Sequence, residues 1–384
     1  MIVTKTATNL RTVTPRKAVL EMPEYHPPLA GRTALRLDFN ENTFGASPRV
    51  MERLLLVTAE GLTKYPEREP AERIVAKHFG LQGEQVVLTN GVDEAIHLMC
   101  CAFLEPEDEA LIATPSFFMY DVSVQMMTPN LRKVQADSSL EFPFERFMAA
   151  ITGRTKLIIV ASPNNPTGAV VGREHLLAIA AAAPQAVLMV DEAYYHFDGA
   201  SVMADLATVR NLIVARTFSK AYGLANLRIG MLAGNPELLK YVRKVSSPYN
   251  VNGVALDCLP VGLADEKYVA WYSEQVRVGR GRMMDGLREL GVPFFPSHAN
   301  FVLMNIGPKH KEFVSAMRAH GVLLRDRSTD PGCDGYVRIT IGVDEHVTQG
   351  LAALKTCLDE IGWKKQQIGD LAGHDDSGSV REFE

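Results

Sequence analysis

Five side chains of different chemistry follow apolar, strand-like runs in this chain. After LIIVA comes SPNNPTG with Asn165, and after AVLMV come Asp191, Glu192, Ala193 and Tyr194. After NLIVA comes RTFSK, ending in Lys220, with Arg228 shortly beyond. After QVVLT come Asn90, Gly91, Val92 and Asp93, at the start of a helical pattern. Ligands of open α/β sheets bind beyond the carboxyl ends of the strands. An amide, a carboxylate, a phenol, an amine and a guanidinium are therefore expected at one sheet edge. Taken singly, each has a mundane explanation: an Asp that caps a helix, a surface Ser-Lys pair, an N-P-x-G turn. The ordered set at successive strand ends is what points to a site. The helix start at Gly91 adds unpaired N–H groups and a dipole suited to a phosphate-sized anion.

Pyridoxal 5'-phosphate asks for this set. A lysine must form a Schiff base with its aldehyde, which needs a neutral amine; Lys220 fits. A carboxylate must keep the pyridine nitrogen protonated, and Asp191 fits. Asn165 and Tyr194 can hold the phenolate oxygen, and Phe117 in TPSFFMY can stack on the ring. The turn at Gly91, the backbone N–H groups of Val92 and Asp93, the Ser219 hydroxyl and Arg228 can bind the phosphate.

Periodicity shows the elements that must position these groups. The helix AERIVAKHF puts Ile74, Val75 and Phe79 on one face and stops at Gly80. After the short strand QVVLTN, a second helix, EAIHLMCCAFL, carries Ile96, Met99, Cys100 and Phe103 at helical spacing. KLIIVAS, AVLMVDE and NLIVART read as buried strands, with REHLLAIAAA the clearest helix between them. That alternation predicts a mostly parallel sheet covered on both faces. The last third has a different rhythm. One long helical stretch from about Gly253 to Leu290 leads to the strand NFVLMNI. The helix KEFVSAMRAH follows, ended by Gly321, then the strands VLLRD and YVRITIG. A final helix carries the stripe Val347, Leu351, Leu354 and Leu358. The expected organisation is α/β: an N-terminal arm over 1–30, a large cofactor-binding domain over 71–254, and a smaller α+β domain from 31–70 and 255–363. Residues 364–384, polar and without apolar periodicity, are expected to form a mobile tail.

A length of 384 residues favours two domains. The net charge of −5, with both signs mixed along the chain, argues against a nucleic-acid surface. Five cysteines, without a C-x-x-C pair or metal-ligand spacing, argue for a reducing, cytoplasmic setting and against a metal site. The adjacent Cys100 and Cys101 are read as core packing. No apolar run reaches membrane-spanning length, and no signal-peptide hydrophobic region opens the chain. The first twenty residues hold Lys5, Arg11, Arg16 and Lys17 and no acid, a composition shared with transit peptides. An arm lying over the substrate site is the preferred reading.

At these residues the sequence resembles the class I/II aminotransferases of fold type I, and within them the histidinol-phosphate aminotransferases. The likeness runs from about Leu37 to about Gly362. Its segments are LDFNENTFGASP, KYPE, TNGVDEAI, TPSFFMY, SPNNPTG, VDEAYYHF, RTFSKAYGLANLRIG, PYNVN, SHANF, LLRD and YVRITIG. The resemblance implies that Lys220 carries the cofactor and moves the proton, with Asp191, Asn165 and Tyr194 in the roles given above. It implies a homodimer in which Tyr65 of KYPE reaches the partner's cofactor phosphate. It also implies that Arg338 and Arg325 hold the substrate phosphate, as two guanidiniums facing one dianion, and that Tyr25 in the arm touches substrate. Three departures stand out. Phe117 replaces a frequent Tyr, Asn226 replaces a common Gly in GLAGLR without a physical account, and MPEYHPPLAGR departs from the usual tyrosine-containing arm.

The implied reaction is a ping-pong transamination between L-histidinol phosphate and 2-oxoglutarate. The nearest alternative is an aromatic amino-acid aminotransferase, with Arg338 on a carboxylate. Others are a threonine-phosphate decarboxylase and a non-enzymatic regulator of the same fold, for whose DNA-binding domain the chain leaves no room.

Overall fold

A computed structural model describes residues 13–22, 24, 31–197 and 199–364. Its strands, in chain order, are β1 Leu35–Arg36, β2 Val86–Thr89, β3 Glu109–Thr114, β4 Leu131–Gln135, β5 Thr155–Ala161, β6 Val187–Asp191 and β7 Leu212–Thr217. They continue as β8 Gly230–Gly234, β9 Phe294–Phe295, β10 Phe301–Asn305, β11 Val322–Leu323, β12 Arg325–Asp326 and β13 Tyr336–Thr340.

A seven-stranded sheet has the order β2-β8-β7-β6-β5-β3-β4. Its neighbours from β4 to β7 pair in parallel, and only β8 is reversed, antiparallel to both β7 and β2. This is the mostly parallel sheet expected from the sequence. Alternate residues feed two cores, as a two-residue repeat demands. Ile158, Val160, Leu188, Val190 and Val214 enter one; Leu157, Ile159, Val187, Met189 and Ile213 enter the other. Both faces are covered, so the strands read as continuous β-branched runs rather than alternating ones.

A four-stranded sheet, β12-β13-β10-β9, is antiparallel throughout, and β1 pairs in parallel with β11. The pairing of β1 brings residues 35–42 beside β13: the Thr340 N–H donates to the Leu37 carbonyl at 2.9 Å.

Several expectations need correction. The stretch from Gly253 to Leu290 is two helices, Gly253–Ala264 and Glu266–Leu290, separated by Asp265 at φ −94° and ψ 56°. VLLRD is two separate two-residue strands, because β11 pairs with β1 while β12 pairs with β13. Ile74 is exposed at 44%; Ala71, Glu72, Val75 and Ala76 form the buried face of the helix Glu69–His78. Glu72 holds that face inward. Its carboxylate accepts from the Leu88 N–H at 3.0 Å and pairs with Arg68 at 2.9 Å and Arg243 at 2.8 Å. Cys100 is core, whereas Cys101 is half-buried with its Sγ 3.4 Å from His97 Nε2. Strands β1, β3, β4, β8 and β9 were not read from the sequence. The arm and tail assignments fall largely outside the described residues.

Candidate active site

The register Ala161–Asp191–Ala215 across β5, β6 and β7 sets the three chemistry-bearing strand ends side by side. Asp191 is 5% exposed. Its carboxylate accepts from the Tyr120 hydroxyl at 2.7 Å and from the Ala193 N–H at 3.0 Å. Among the described residues no cation pairs with it, and burial pushes its pKa up to about 6. A buried carboxylate in this state calls for a protonated nitrogen from outside the chain.

The loop after β7 delivers Lys220, whose Nζ donates to the Phe39 carbonyl at 3.2 Å and lies 5.7 Å from the Tyr194 ring centre. Tyr194 is buried, and its oxygen accepts from Asn40 Nδ2 at 3.0 Å. Asn165, also buried, accepts from Arg338 through Oδ1, which leaves its Nδ2 to donate. Lys220, Tyr194, Asn165 and Asp191 thus gather at the same sheet edge.

The neighbouring residues of two motifs have a structural task. Glu192 and Arg216 form a buried pair, with Nη2 to Oε2 at 2.7 Å. The Ser201 hydroxyl donates to Glu192 at 2.9 Å, and the Arg216 guanidinium lies 3.4 Å from the Tyr195 ring centre. With its hydrogen bonds satisfied, this pair ties the end of β7 to the turn after β6. It fixes the spacing between the Asp191 and Lys220 loops.

Beside this cluster, the helix Gly91–Phe103 begins with Gly91 at φ +73°. A Cβ there would lie 2.5 Å from Arg228 Nη2, so only glycine lets the guanidinium close on the helix start. Arg228 pairs with Asp93 at 3.0 Å. The first N–H groups of the helix, at Val92 and Asp93, have no intrahelical acceptor. Ser219 is buried, with its N–H donating to Thr217 Oγ1 at 3.1 Å and its hydroxyl unpartnered among the described residues. Helix start, guanidinium and hydroxyl are the groups that could hold an anion here.

A second cationic region lies on the small sheet. In the β12–β13 pair, Arg325 stands opposite Arg338. The Arg327 N–H donates to the Tyr336 carbonyl at 2.9 Å. Residues two apart on a strand share a face, so Arg325, Arg327 and Arg338 share one. Arg338 is 4% exposed. Its Nη2 donates to the Asp38 carbonyl at 2.8 Å, and its Nε is buried without a partner. Burial, then the neighbouring Arg327, lowers its pKa to about 9, so it remains a cation at neutral pH. Arg327 pairs with Asp330, and the Arg325 guanidinium lies 5.1 Å from the Phe39 ring centre.

Three further residues were expected at the site: Phe117, Tyr65 and Tyr25. Phe117 is half-buried and meets Tyr120 edge-on, with centroids 5.7 Å apart. Tyr65 is 78% exposed and stacks on Tyr249 at 4.4 Å. Tyr25 lies outside the described residues. Sequence reasoning missed Tyr120, Asn40 and Arg327. Tyr120 follows Phe117 by three residues, near one helical turn, and Arg327 follows Arg325 by one strand repeat. Those two spacings were available signals.

The residues present fit pyridoxal phosphate. An unpaired buried carboxylate suits the pyridine nitrogen, two donors suit the phenolate oxygen, and the glycine-dependent cradle suits the phosphate. Residues 32–354 match the family described as aminotransferase class I and II. A curated relative from Pseudomonas aeruginosa, histidinol-phosphate aminotransferase 2, is 34% identical over 331 residues, covering 84% of this chain and 89% of its own. Histidinol-phosphate aminotransferase from Caldanaerobacter subterraneus is 32% identical over 335 residues, covering 84% and 93%. The crystal structure of histidinol-phosphate aminotransferase from Sinorhizobium meliloti with pyridoxal-5'-phosphate has a TM-score of 0.81 at 24% identity, covering 93% of this chain and all of its own; it shows the shared fold. With a match over most of its length and a site whose charges ask for that cofactor, this chain belongs to the class I and II aminotransferases and is a pyridoxal-phosphate-dependent enzyme.

Proposed function

We propose that this enzyme moves an amino group between L-histidinol phosphate and 2-oxoglutarate in a ping-pong cycle, as part of histidine biosynthesis. The observation that carries the reading is the shared face of Arg325, Arg327 and Arg338, beside which Asp330 pairs with Arg327. A cationic pocket with buried, unpartnered Nε atoms is built for a dianion rather than a monoanion. The substrate named for the curated relatives agrees with it.

When bound, the cofactor supplies an electron sink for the carbon that loses its proton. Asp191 holds the pyridine nitrogen protonated, while Asn165 and Tyr194 donate to the phenolate oxygen. The helix start at Gly91, Val92 and Asp93, with Ser219 and Arg228, holds the phosphate, and Phe117 covers one ring face. The Lys220 amine would supply the base that takes the proton from the donor's α-carbon and hands it on from Nζ. Arg338 and Arg325 fix the substrate's anionic end, so that the α-carbon faces Lys220.

The same reading makes the protein a homodimer, with Tyr65 reaching the partner's cofactor phosphate. Leu55, Leu62 and Tyr65, exposed at 85%, 69% and 78%, supply an apolar surface consistent with it. We divide the chain into a large domain over 71–254 and a small domain from 31–70 and 255–363, flanked by an arm (1–30) and a tail (364–384). Among the described residues no helix is long and apolar enough to cross a membrane, and we assign the enzyme to the cytoplasm.

Glutamate formation from 2-oxoglutarate with histidinol phosphate as sole donor tests the reading. No glutamate, with carbon dioxide released from L-threonine O-3-phosphate, would replace transamination by decarboxylation.

A further inference from the structure

Asn40 sits where three parts of the chain meet, and it is 1% exposed. Its backbone adopts φ +54°, a left-handed conformation that Asn tolerates better than most residues. Its N–H donates to Thr340 Oγ1 at 3.0 Å, and its carbonyl accepts from Asn300 Nδ2 at 3.1 Å. Its Oδ1 accepts from the Thr340 hydroxyl at 3.2 Å, and its Nδ2 donates to Tyr194 Oη at 3.0 Å. Thr340, 1% exposed, lies two residues beyond Arg338 on β13, so Asn40 is gripped from the anion-binding strand.

The amide orientation follows from the partners available. Thr340 Oγ1 already accepts from the Asn40 N–H, and its own hydrogen needs an acceptor in a fully buried place. Among the described residues its acceptor is Oδ1 of Asn40; turning the amide round would set Nδ2 against that hydroxyl hydrogen. The Nδ2 group therefore faces Tyr194. The Tyr194 oxygen accepts from it, and among the described residues no acceptor takes the Tyr194 hydrogen.

We propose that Asn40 is a positioning residue that sets the direction of the Tyr194 hydroxyl. By filling an acceptor site on the phenol oxygen, it commits the phenol hydrogen to the cofactor's phenolate oxygen. This rests on Tyr194 being the cofactor's phenolate partner, as proposed above. A phenolate oxygen that receives one more donor holds its charge more firmly and retains a neighbouring proton less. Asn40 therefore lowers the pH midpoint of the bound cofactor's visible absorption band. The charged groups facing Tyr194 are Lys220 and Arg338, and Asp191 lies three residues earlier on the same turn.

The test is the pH midpoint of that band in the cofactor-loaded enzyme, with circular dichroism and cofactor affinity as controls of folding. Tyr194→Phe should raise the midpoint by about one unit. Asn40→Asp keeps the shape and the backbone tolerance but presents an acceptor, so the Tyr194 hydrogen turns towards it and the midpoint rises by about one unit. Asn40→Gly keeps the left-handed backbone and adds no charge; its rise should be smaller. In the Tyr194→Phe background, Asn40→Gly should add nothing, and any shift left in Asn40→Asp measures the added charge alone. Wild-type midpoints in folded Asn40→Asp and Asn40→Gly would overturn the proposal. So would an undiminished Asn40→Gly shift in the Tyr194→Phe background. A wild-type midpoint in Tyr194→Phe itself would remove the Tyr194 assignment, and Asn40's role with it.

Discussion

Arg325 and Arg338 stand directly opposite each other across the β12–β13 pair, and Arg338 reaches from there to Asn165 in the loop after β5. Like charges facing across a strand pair are destabilising. On the proposed reading, an anion held by the two guanidiniums offsets that cost, and the small sheet then has a binding task beyond its packing.

This relationship predicts a split in kinetics. Arg325→Gln should lower kcat/KM for histidinol phosphate about a hundredfold, on the order of 3 kcal/mol. The half-reaction with glutamate should change by less than about fivefold. Equal losses for both donors would make Arg325 structural.

On the proposed reading Lys220 is the group that moves the substrate proton. Lys220→Ala should lose at least about four orders of magnitude in turnover, with the fold intact. Turnover near the wild-type rate, measured by glutamate formation, would remove this assignment.

Asp191 makes a prediction about the apoprotein. Burial raises its pKa from 3.8 to about 6, so the folded chain binds this proton more tightly than the unfolded chain does. The associated stability is complete below 3.8 and is lost as pH rises through about 6, to a total of about 3 kcal/mol. Asp191→Asn does not titrate. Its apoprotein should resist urea better than the wild type at pH 8, and the advantage should fade as pH is lowered below about 6. Parallel pH profiles for the two proteins would contradict the account.

Gly91 is required by both backbone and space. An alanine would hold φ at +73° and put its Cβ 2.5 Å from Arg228 Nη2. Gly91→Ala should weaken cofactor binding by about tenfold or more through the displaced guanidinium, with secondary structure retained. An unchanged Kd for the cofactor would show that the cradle is not built as described.

The chemistry was legible in the sequence wherever it followed a strongly apolar strand. Asp191 ends one apolar run, Asn165 and Lys220 come a few residues after two others, and the parallel order of β5, β6 and β7 sets those strand ends side by side. What stayed hidden depended on long-range pairing. Strand β8, GMLAG, carries two glycines and no β-branched residue, so nothing in its composition marks a strand buried throughout. Ile74 broke the expected helical face because Glu72 is drawn inward by two arginines, a contact between residues 68, 72 and 243. Asn40 reads as part of a loop motif; its role depends on Thr340, 300 residues away. The partners of Arg338 were equally out of reach, because the pairing of β1 with β11 brings Asp38 to it.

The central claim is that this pocket recognises a phosphate, and the direct measurement is kcat/KM with 2-oxoglutarate for histidinol phosphate, phenylalanine and tyrosine, side by side. The account predicts a preference for histidinol phosphate of about a hundredfold, on the order of 3 kcal/mol of transition-state binding. Equal or higher values for the aromatic amino acids would contradict it, and would make Arg338 a carboxylate clamp.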